Sequence, residues 1–237
     1  MNLHDPVSAQ KILLSAKKLN RSVLNPIDGF VHQKISNLQN QAQNIINYIQ
    51  SSKIDQNVIL IHLQKVFDEF SFQSDSDVFE RAVEEIGRLL GFISVRPDLE
   101  TNGKGPDNLW ALGNETYWVI ECKNESKTHE ISKDYCNQLG GSVRWFEAEY
   151  PNGHAEPIMI HLSTIISLQA TPEQNMRIIN EECLNRLKNS LEGFYKALTV
   201  LAELQDWKNI WELLNTYHLA PNDLLHMYTE GFKRTQS

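Results

Sequence analysis

The chain has 237 residues, 41% of them hydrophobic, and a formal net charge of −8. This hydrophobic content excludes a disordered chain, and no apolar run reaches the ~18–20 residues needed to cross a bilayer. The three cysteines, Cys122, Cys136 and Cys183, show no C-x-x-C spacing, which argues against a disulfide framework and against a cysteine-ligated metal. The first ten residues lack the layout of a signal peptide, so we expect a cytoplasmic protein with no membrane association.

Residues 1–72 are predicted to form an N-terminal helical region. Apolar residues recur at helical spacing over 1–24, 31–50 and 56–70, and the turn sequence NPIDG at 25–29 separates the first two stretches. The polar run SFQSDSD at 71–77 then interrupts the helical pattern. We therefore place a domain boundary there.

Residues 73–165 change pattern and are predicted to form an α/β core. An amphipathic helix over 78–91 precedes three β-rich runs, and a second helix and a buried strand follow; the later segments are 92–96, 108–112, 116–122, 131–149 and 157–163. The order is α-β-β-β-α-β, which predicts a mixed sheet flanked by helices. Residues 166–237 are predicted to be helical, so the core would lie between N- and C-terminal helical extensions.

The acidic excess lies in the predicted core. Residues 1–70 carry a net charge of +2, residues 71–165 carry −8, and residues 166–237 carry −2. An acidic balance argues against a nucleic-acid binder, which usually has a basic face. The simplest explanation is a solvated acidic surface, and the specific alternative is a metal site.

Two carboxylates and a lysine are predicted to meet at one end of the sheet. Asp107 begins one predicted strand, and Glu121 and Lys123 end the next, two residues apart and so on one face. If the strands are hairpin neighbours, the three side chains converge. Two close carboxylates bind a hard cation such as Mg²⁺, and a lysine beside them can orient a water and stabilise an oxyanion. The backbone carbonyl of Cys122 can also face the metal.

This pattern resembles the PD-(D/E)-x-K nuclease superfamily, whose members have a restriction-endonuclease-like fold. The resemblance covers about residues 78–163 and includes Pro106-Asp107, thirteen intervening residues, and then Glu121-Cys122-Lys123. Singly, Asp107 could also be a turn-capping residue, and Glu121 and Lys123 could form an ordinary ion pair. The spacing and the predicted strand positions favour the nuclease pattern.

Two flanking helices extend the resemblance. FERAVEEIGRLLGF at 79–92 is similar to the first helix of the Mrr-type and Holliday-junction-resolvase-like branches, which implies Glu80 as a metal ligand, although Glu84 and Glu85 are close in sequence. Gln138-Leu139 is similar to a Gln-Leu pair found in several branches. This implies that Gln138 assists Lys123 or contacts the phosphate.

The resemblance implies a Mg²⁺-dependent nuclease, with Mn²⁺ as an alternative cation, that hydrolyses phosphodiester bonds and leaves a 5′-phosphate. The implied catalytic residues are Asp107, Glu121, Lys123, Gln138 and Glu80. The implied metal ligands are Asp107, Glu121, Glu80 and the backbone carbonyl of Cys122. DNA is the expected substrate, and RNA remains an alternative because no residue pattern discriminates the 2′-hydroxyl.

The acidic core predicts weak DNA binding by this chain alone, because affinity depends on Lys and Arg neutralising phosphates. We therefore expect a partner, such as a helicase or ATPase subunit of a DNA-processing or anti-phage defence complex, or a homodimer mate. The sequence has no G-x-x-x-x-G-K-[ST] motif, so an ATP-driven motor would be a separate protein or domain. The alternative is a catalytically silent module that keeps the nuclease fold for nucleic-acid binding or assembly.

Overall fold

The computed structural model describes residues 32–38, 40–52, 56–101, 103–201 and 206–234. The helices are α1 (Gln41–Ser51), α2 (Gln56–Glu69), α3 (Ser76–Leu89), α4 (Pro97–Glu100), α5 (Lys133–Glu149), α6 (Glu181–Thr199), α7 (Trp207–Thr216) and α8 (Pro221–Tyr228). The strands are β1 (Ile93–Val95), β2 (Asn108–Gly113), β3 (Thr116–Cys122), β4 (His154–Ile160), β5 (Ile165–Ile166), β6 (Arg177–Ile179), β7 (Glu230–Gly231) and β8 (Lys233–Arg234). In the described ranges, no helix is both long and apolar enough to cross a membrane.

The centre of the protein is a mixed six-stranded sheet in the order β1-β2-β3-β4-β6-β7. The pairs β1–β2 and β2–β3 are antiparallel, whereas β4 runs parallel to both β3 and β6. Asn114 and Glu115 turn the β2–β3 hairpin with φ values of 50° and 55°, the left-handed conformation that suits the twist of a two-residue hairpin turn. These two strands are therefore hairpin neighbours, which is the condition on which the predicted convergence of Asp107, Glu121 and Lys123 depends.

Helices cover both faces of the sheet because the strands have apolar residues on both faces. Along β3, Tyr117 and Val119 belong to the cluster that includes Phe146 of α5, whereas Trp118 and Ile120 belong to the cluster that includes α3 and α6. Side chains alternate between the faces of a strand, so Glu121 projects towards α5. The α/β class with a mixed sheet flanked by helices is as predicted.

α3 lies across one face of the sheet, as its sequence predicts. Its apolar residues recur at threes and fours, and Phe79, Val83 and Ile86 are fully buried. Gly91 then has φ +80°, and a Cβ on it would lie 2.4 Å from the carbonyl oxygen of Gln41. The helix therefore ends before a residue that must be glycine, and the chain turns directly into β1.

The helix predicted over 31–50 is wrong in its first part, because α1 begins only at Gln41. Residues 32–38, the N-terminal strap, are not helical. Ile35 accepts a hydrogen bond from the hydroxyl of Tyr117 (3.1 Å), and the side chain of Asn37 donates to the carbonyl of Ala111 (3.2 Å). These hydrogen bonds to the α/β core outweigh the local helical spacing. The helix predicted over 1–24 lies outside the described residues.

The prediction that 166–237 is wholly helical is also wrong. Arg177–Ile179 forms β6 beside β4, and β7 extends the sheet further, so the sheet includes strands from beyond residue 165. The sequence MRIINEEC at 176–183 includes both β6 and the start of α6. Its apolar residues continue the helical spacing of α6, so the strand was not distinguished from the helix. The side chain of Asn180 separates them, because it accepts the backbone N–H of Cys183 (2.9 Å) and caps α6.

A buried hydrogen-bonded group attaches the strap to the core. His32 Nδ1 lies 2.7 Å from Glu100 Oε2, and His32 Nε2 lies 2.8 Å from the Tyr150 hydroxyl, which also accepts the backbone N–H of Ile35 (3.0 Å). His32, Glu100 and Tyr150 are each 7% exposed. The strap is thereby held against α4.

We expect His32→Ala to lower the free energy of unfolding by about 2–4 kcal/mol, because it removes a hydrogen-bond partner from a buried carboxylate and from a buried hydroxyl. Equilibrium urea denaturation measures this change. The control is Lys34→Ala in the same strap: Lys34 forms an exposed ion pair with Glu149 at 3.8 Å, so its loss should cost less than ~1 kcal/mol. Equal effects of the two substitutions would contradict the anchoring role of His32.

Candidate metal centre

Asp107, Glu121 and Lys123 come together at the end of the β2–β3 hairpin. Asn108 pairs with Ile120 in the antiparallel register, which places the preceding Asp107 beside Glu121. Lys123 Nζ lies 2.8 Å from Glu121 Oε2 and 3.5 Å from Asp107 Oδ2. The side chains are 13%, 7% and 19% exposed for Lys123, Glu121 and Asp107. The predicted convergence of these residues is observed.

The backbone of β3 fixes the position of Asp107. Its Oδ2 accepts the backbone N–H of Cys122 at 2.8 Å. The N–H and C=O of one strand residue point to the same side, so the Cys122 carbonyl also faces the side on which Asp107 lies. The thiol of Cys122 is buried in the cluster on the other face of the sheet. The predicted use of this carbonyl, rather than the thiol, agrees with the orientation of the strand.

Glu121 is held from two directions. Lys123 contacts Oε2, and the hydroxyl of Ser142 on α5 donates to Oε1 at 2.7 Å. Burial, followed by the charge of Asp107, raises the pKa of Glu121 to about 7, against the lowering effects of Lys123 and Ser142. Ser142 was not among the predicted residues. The available signal was its position one turn after Gln138, on the same face of the helix.

Lys123 keeps its positive charge in this position. Burial by itself would lower the pKa of the Lys123 ammonium, but Asp107 and Glu121 outweigh it and raise the pKa above its ordinary value. The ammonium also lies 5.8 Å from the centre of the Tyr135 ring of α5. Lys123 is therefore a fixed cation in this state of the protein and not a proton acceptor.

Glu80 lies on the other side of Asp107. Glu80, Asp98 and Asp107 each have a carboxylate oxygen within 4.8 Å of the others. Sequence reasoning placed Glu80 here but missed Asp98, which lies in α4. Pro97-Asp98 is a second Pro-Asp pair, nine residues before Pro106-Asp107, and this was the signal available in the sequence.

The carboxylate of Glu80 is already paired with a cation of the protein. Arg96 Nη2 donates to Glu80 Oε2, the hydroxyl of Ser76 donates to Oε1 (2.8 Å), and Arg96 Nη1 donates to Asp77 Oδ1 (3.0 Å). Burial, and then Asp107, raise the pKa of Glu80 despite Arg96. Arg96 follows β1 and was not predicted as part of the site.

Gln138 lies on α5, one helical turn before Ser142, with an exposed side chain. Its side chain makes no hydrogen bond to any residue in the described ranges. The structure thus brings Asp107, Glu121, Lys123 and Glu80 together and leaves Gln138 at the solvent-facing margin of the same helix face.

The available ligand atoms suit a hard divalent cation. The candidate ligands are carboxylate oxygens and one backbone carbonyl, the donor set that Mg²⁺ and Mn²⁺ prefer. Because both contact Lys123 Nζ, Asp107 Oδ2 and Glu121 Oε2 lie at most about 6 Å apart, and they would have to move towards each other to bind one ion with ~2.0–2.1 Å bonds. Comparisons with protein-family models, with curated proteins and with solved structures find no match to this chain.

The pKa of Glu121 predicts how metal affinity depends on pH. A carboxylate binds a metal only when it is deprotonated. Below the Glu121 pKa of about 7, a proton therefore competes with the ion, and each pH unit further below this value should weaken metal binding about tenfold. Affinity should therefore rise up to this pKa and level off above it. Ser142→Ala removes a hydrogen bond that favours the charged form of Glu121, so the pKa of Glu121 should rise. Metal affinity of this variant should therefore level off at a higher pH.

Calorimetric titration with Mn²⁺ between about pH 5.5 and about pH 8 measures this profile. Ser167→Ala, a serine change in the segment after β5, is the control and should behave as the wild type does. A Ser142→Ala profile that coincides with the wild-type profile would show that the Ser142 hydroxyl does not tune Glu121.

Proposed function

We propose that this chain is a metal-dependent nuclease with a restriction-endonuclease-like core, in which Asp107 and Glu121 bind Mg²⁺, or Mn²⁺ in its place. One observation carries the proposal: the Lys123 ammonium contacts two carboxylates from adjacent strands, at 2.8 and 3.5 Å, in a largely buried position. Burying three charged groups costs free energy, so a cluster of this kind at a sheet end favours a functional role.

The arrangement of elements around these residues supports the same proposal. α3, β1, β2, β3, α5 and β4 follow one another in the order implied by the resemblance to the PD-(D/E)-x-K superfamily, with the short α4 added before β2. Asp107 precedes the first residue of β2, Glu121 is the last residue but one of β3, and Lys123 follows the strand directly. These positions are compatible with the superfamily pattern and support the proposal.

The residues divide the chemistry of phosphodiester hydrolysis between them. Bound Mg²⁺ would lower the pKa of a water and neutralise charge on the phosphate oxygens. Asp107 is oriented by the backbone of β3 and Glu121 by Ser142, so both ligands are held before the ion arrives. Lys123 would orient the attacking water and stabilise negative charge that develops on oxygen as the phosphorus–oxygen bond breaks.

The proposed substrate is nucleic acid, with DNA as the first expectation and RNA as the alternative. Lys127 and Lys133 are exposed in the loop after β3 and at the start of α5, near the end of the sheet where the site lies. Two lysines do not offset the net acidic charge of the core, so we propose that this chain alone binds nucleic acid weakly. A helicase or ATPase subunit of a DNA-processing or anti-phage defence complex, or a homodimer mate, would supply further contacts.

We expect the wild-type protein to cleave DNA in Mg²⁺ or Mn²⁺ but not in EDTA, and Asp107→Asn and Lys123→Ala each to lose at least ~100-fold in rate. The matched controls are Asp134→Asn, an exposed aspartate of α5, and Lys65→Ala, an exposed lysine of α2. Gel assays on supercoiled plasmid, linear duplex, single-stranded DNA and RNA measure the rates.

Cleavage that survives in both site variants would indicate a contaminating nuclease. Wild-type protein that binds metal and nucleic acid without cutting any substrate, also with a partner protein present, would identify the chain as a catalytically silent binding or assembly module. Preferential cleavage of the RNA would transfer the proposal to that substrate.

A further inference from the structure

Asp107 has acidic neighbours on two sides, and each side already holds one cation of the protein. On the β3 side, Lys123 lies between Asp107 and Glu121. On the α3 side, Arg96 binds Glu80, whose carboxylate lies within 4.8 Å of those of Asp98 and Asp107. A metal ion that binds Asp107 would have to displace one of these two cations.

Arg96 is the more firmly held of the two. Its side chain is only 5% exposed, and its two terminal nitrogens bind two carboxylates of α3, those of Asp77 and Glu80. The hydroxyl of Ser76 donates a hydrogen bond to the other carboxylate oxygen of Glu80. The buried Nε of Arg96 has no hydrogen-bond partner within the described residues, so the hydrogen bonds of its guanidinium are those to the two carboxylates. The guanidinium thus acts as a counter-charge for α3.

Lys123 is held more loosely. A single ammonium nitrogen makes both contacts, and the one to Asp107 is 3.5 Å long. A lysine head group moves on a flexible chain, whereas the planar guanidinium of Arg96 makes directed bonds to two groups at once. In addition, Pro97 restricts the backbone directly after Arg96. An incoming ion would therefore displace Lys123 from Asp107 before it displaced Arg96 from Glu80.

The charges around Asp107 favour a single divalent ion. The carboxylates of Glu80, Asp98, Asp107 and Glu121 together exceed the charges of Lys123 and Arg96 by two when all are ionised. Asp77, which Arg96 also binds, is left out of this count because its side chain is 59% exposed and screened by water. One Mg²⁺ or Mn²⁺ neutralises that excess. A second would give a neutral site a net positive charge, in surroundings that screen charge poorly.

We propose that Arg96 takes the place of a second metal ion on the Glu80 side of Asp107, so that the site binds one divalent ion. Removing the guanidinium would open a second cation site formed by Glu80, Asp98 and Asp107. This inference rests on the proposed function, because it assumes that Asp107 and Glu121 bind the first ion. It assigns Glu80 to Arg96, as a residue that balances charge, and not to the metal in the wild-type protein.

The test is to count bound ions by calorimetric titration with Mn²⁺, checked by electron paramagnetic resonance of the bound ion. We expect one ion per chain for the wild type, two for Arg96→Met, and one again for the double variant Arg96→Met/Glu80→Gln, which lacks a ligand of the opened site. Arg88→Met is the matched control, since Arg88 pairs with Glu84 and Glu85 on the outer surface of α3. It should still bind one ion.

Two ions on the wild type, or one ion on folded Arg96→Met, would overturn the role of Arg96 and leave the proposed function intact. Failure of the wild type to bind any ion would remove the proposed function and this inference with it. If circular dichroism shows that Arg96→Met does not fold, Arg96→Gln takes its place. That variant removes the positive charge but keeps a side-chain amide that can donate to Glu80, so it should also bind two ions, and binding of one ion only would overturn the inference.

Discussion

The arrangement of the end of the sheet at which β2 begins and β3 ends depends on one charged contact, that between Lys123 and the carboxylates of Asp107 and Glu121. Burial removes hydration from Glu121, and the charge of Asp107 adds repulsion, so the pKa of Glu121 rises to about 7. The lysine stabilises the pair, and the pair in turn keeps the lysine charged. Lys123 thus favours the charged form of Glu121, and the two carboxylates favour the charged form of Lys123.

The scaffold keeps this contact in position by making it part of the sheet. The carboxylate of Asp107 bonds to the backbone of β3 at Cys122, which continues the hairpin beyond its last regular pair. Ser142 links Glu121 to α5, whose apolar residues on the same face pack against β3. On the other side, Arg96 links the end of β1 to α3. The elements β1, β3, α3 and α5 meet at this end of the sheet and are connected there through polar groups. Their apolar residues belong to the two hydrophobic clusters on the faces of the sheet.

Sequence reasoning succeeded where local pattern and chemistry coincide. The β2–β3 hairpin and its motif could be predicted because Asp107, Glu121 and Lys123 have fixed positions relative to strands that alternate clearly. It failed where distant contacts decide the conformation: the strap at 32–38 has helical spacing but bonds to Tyr117 and Ala111. Asp98 and Arg96 were missed for the same reason, since only the fold brings the end of β1 against α3.

The net charge of −8 acquires a more specific meaning from these contacts. Glu80, Asp98, Asp107 and Glu121 are gathered at one sheet edge, and two basic side chains offset only half of their charge. In the proposed function a divalent cation would complete the balance, and the acidity at this end of the sheet would serve metal binding. The remaining acids of the core would then oppose the approach of a phosphate backbone away from that ion. A substrate strand would then be attracted mainly to the place where it is cut, and tight binding would have to come from another surface.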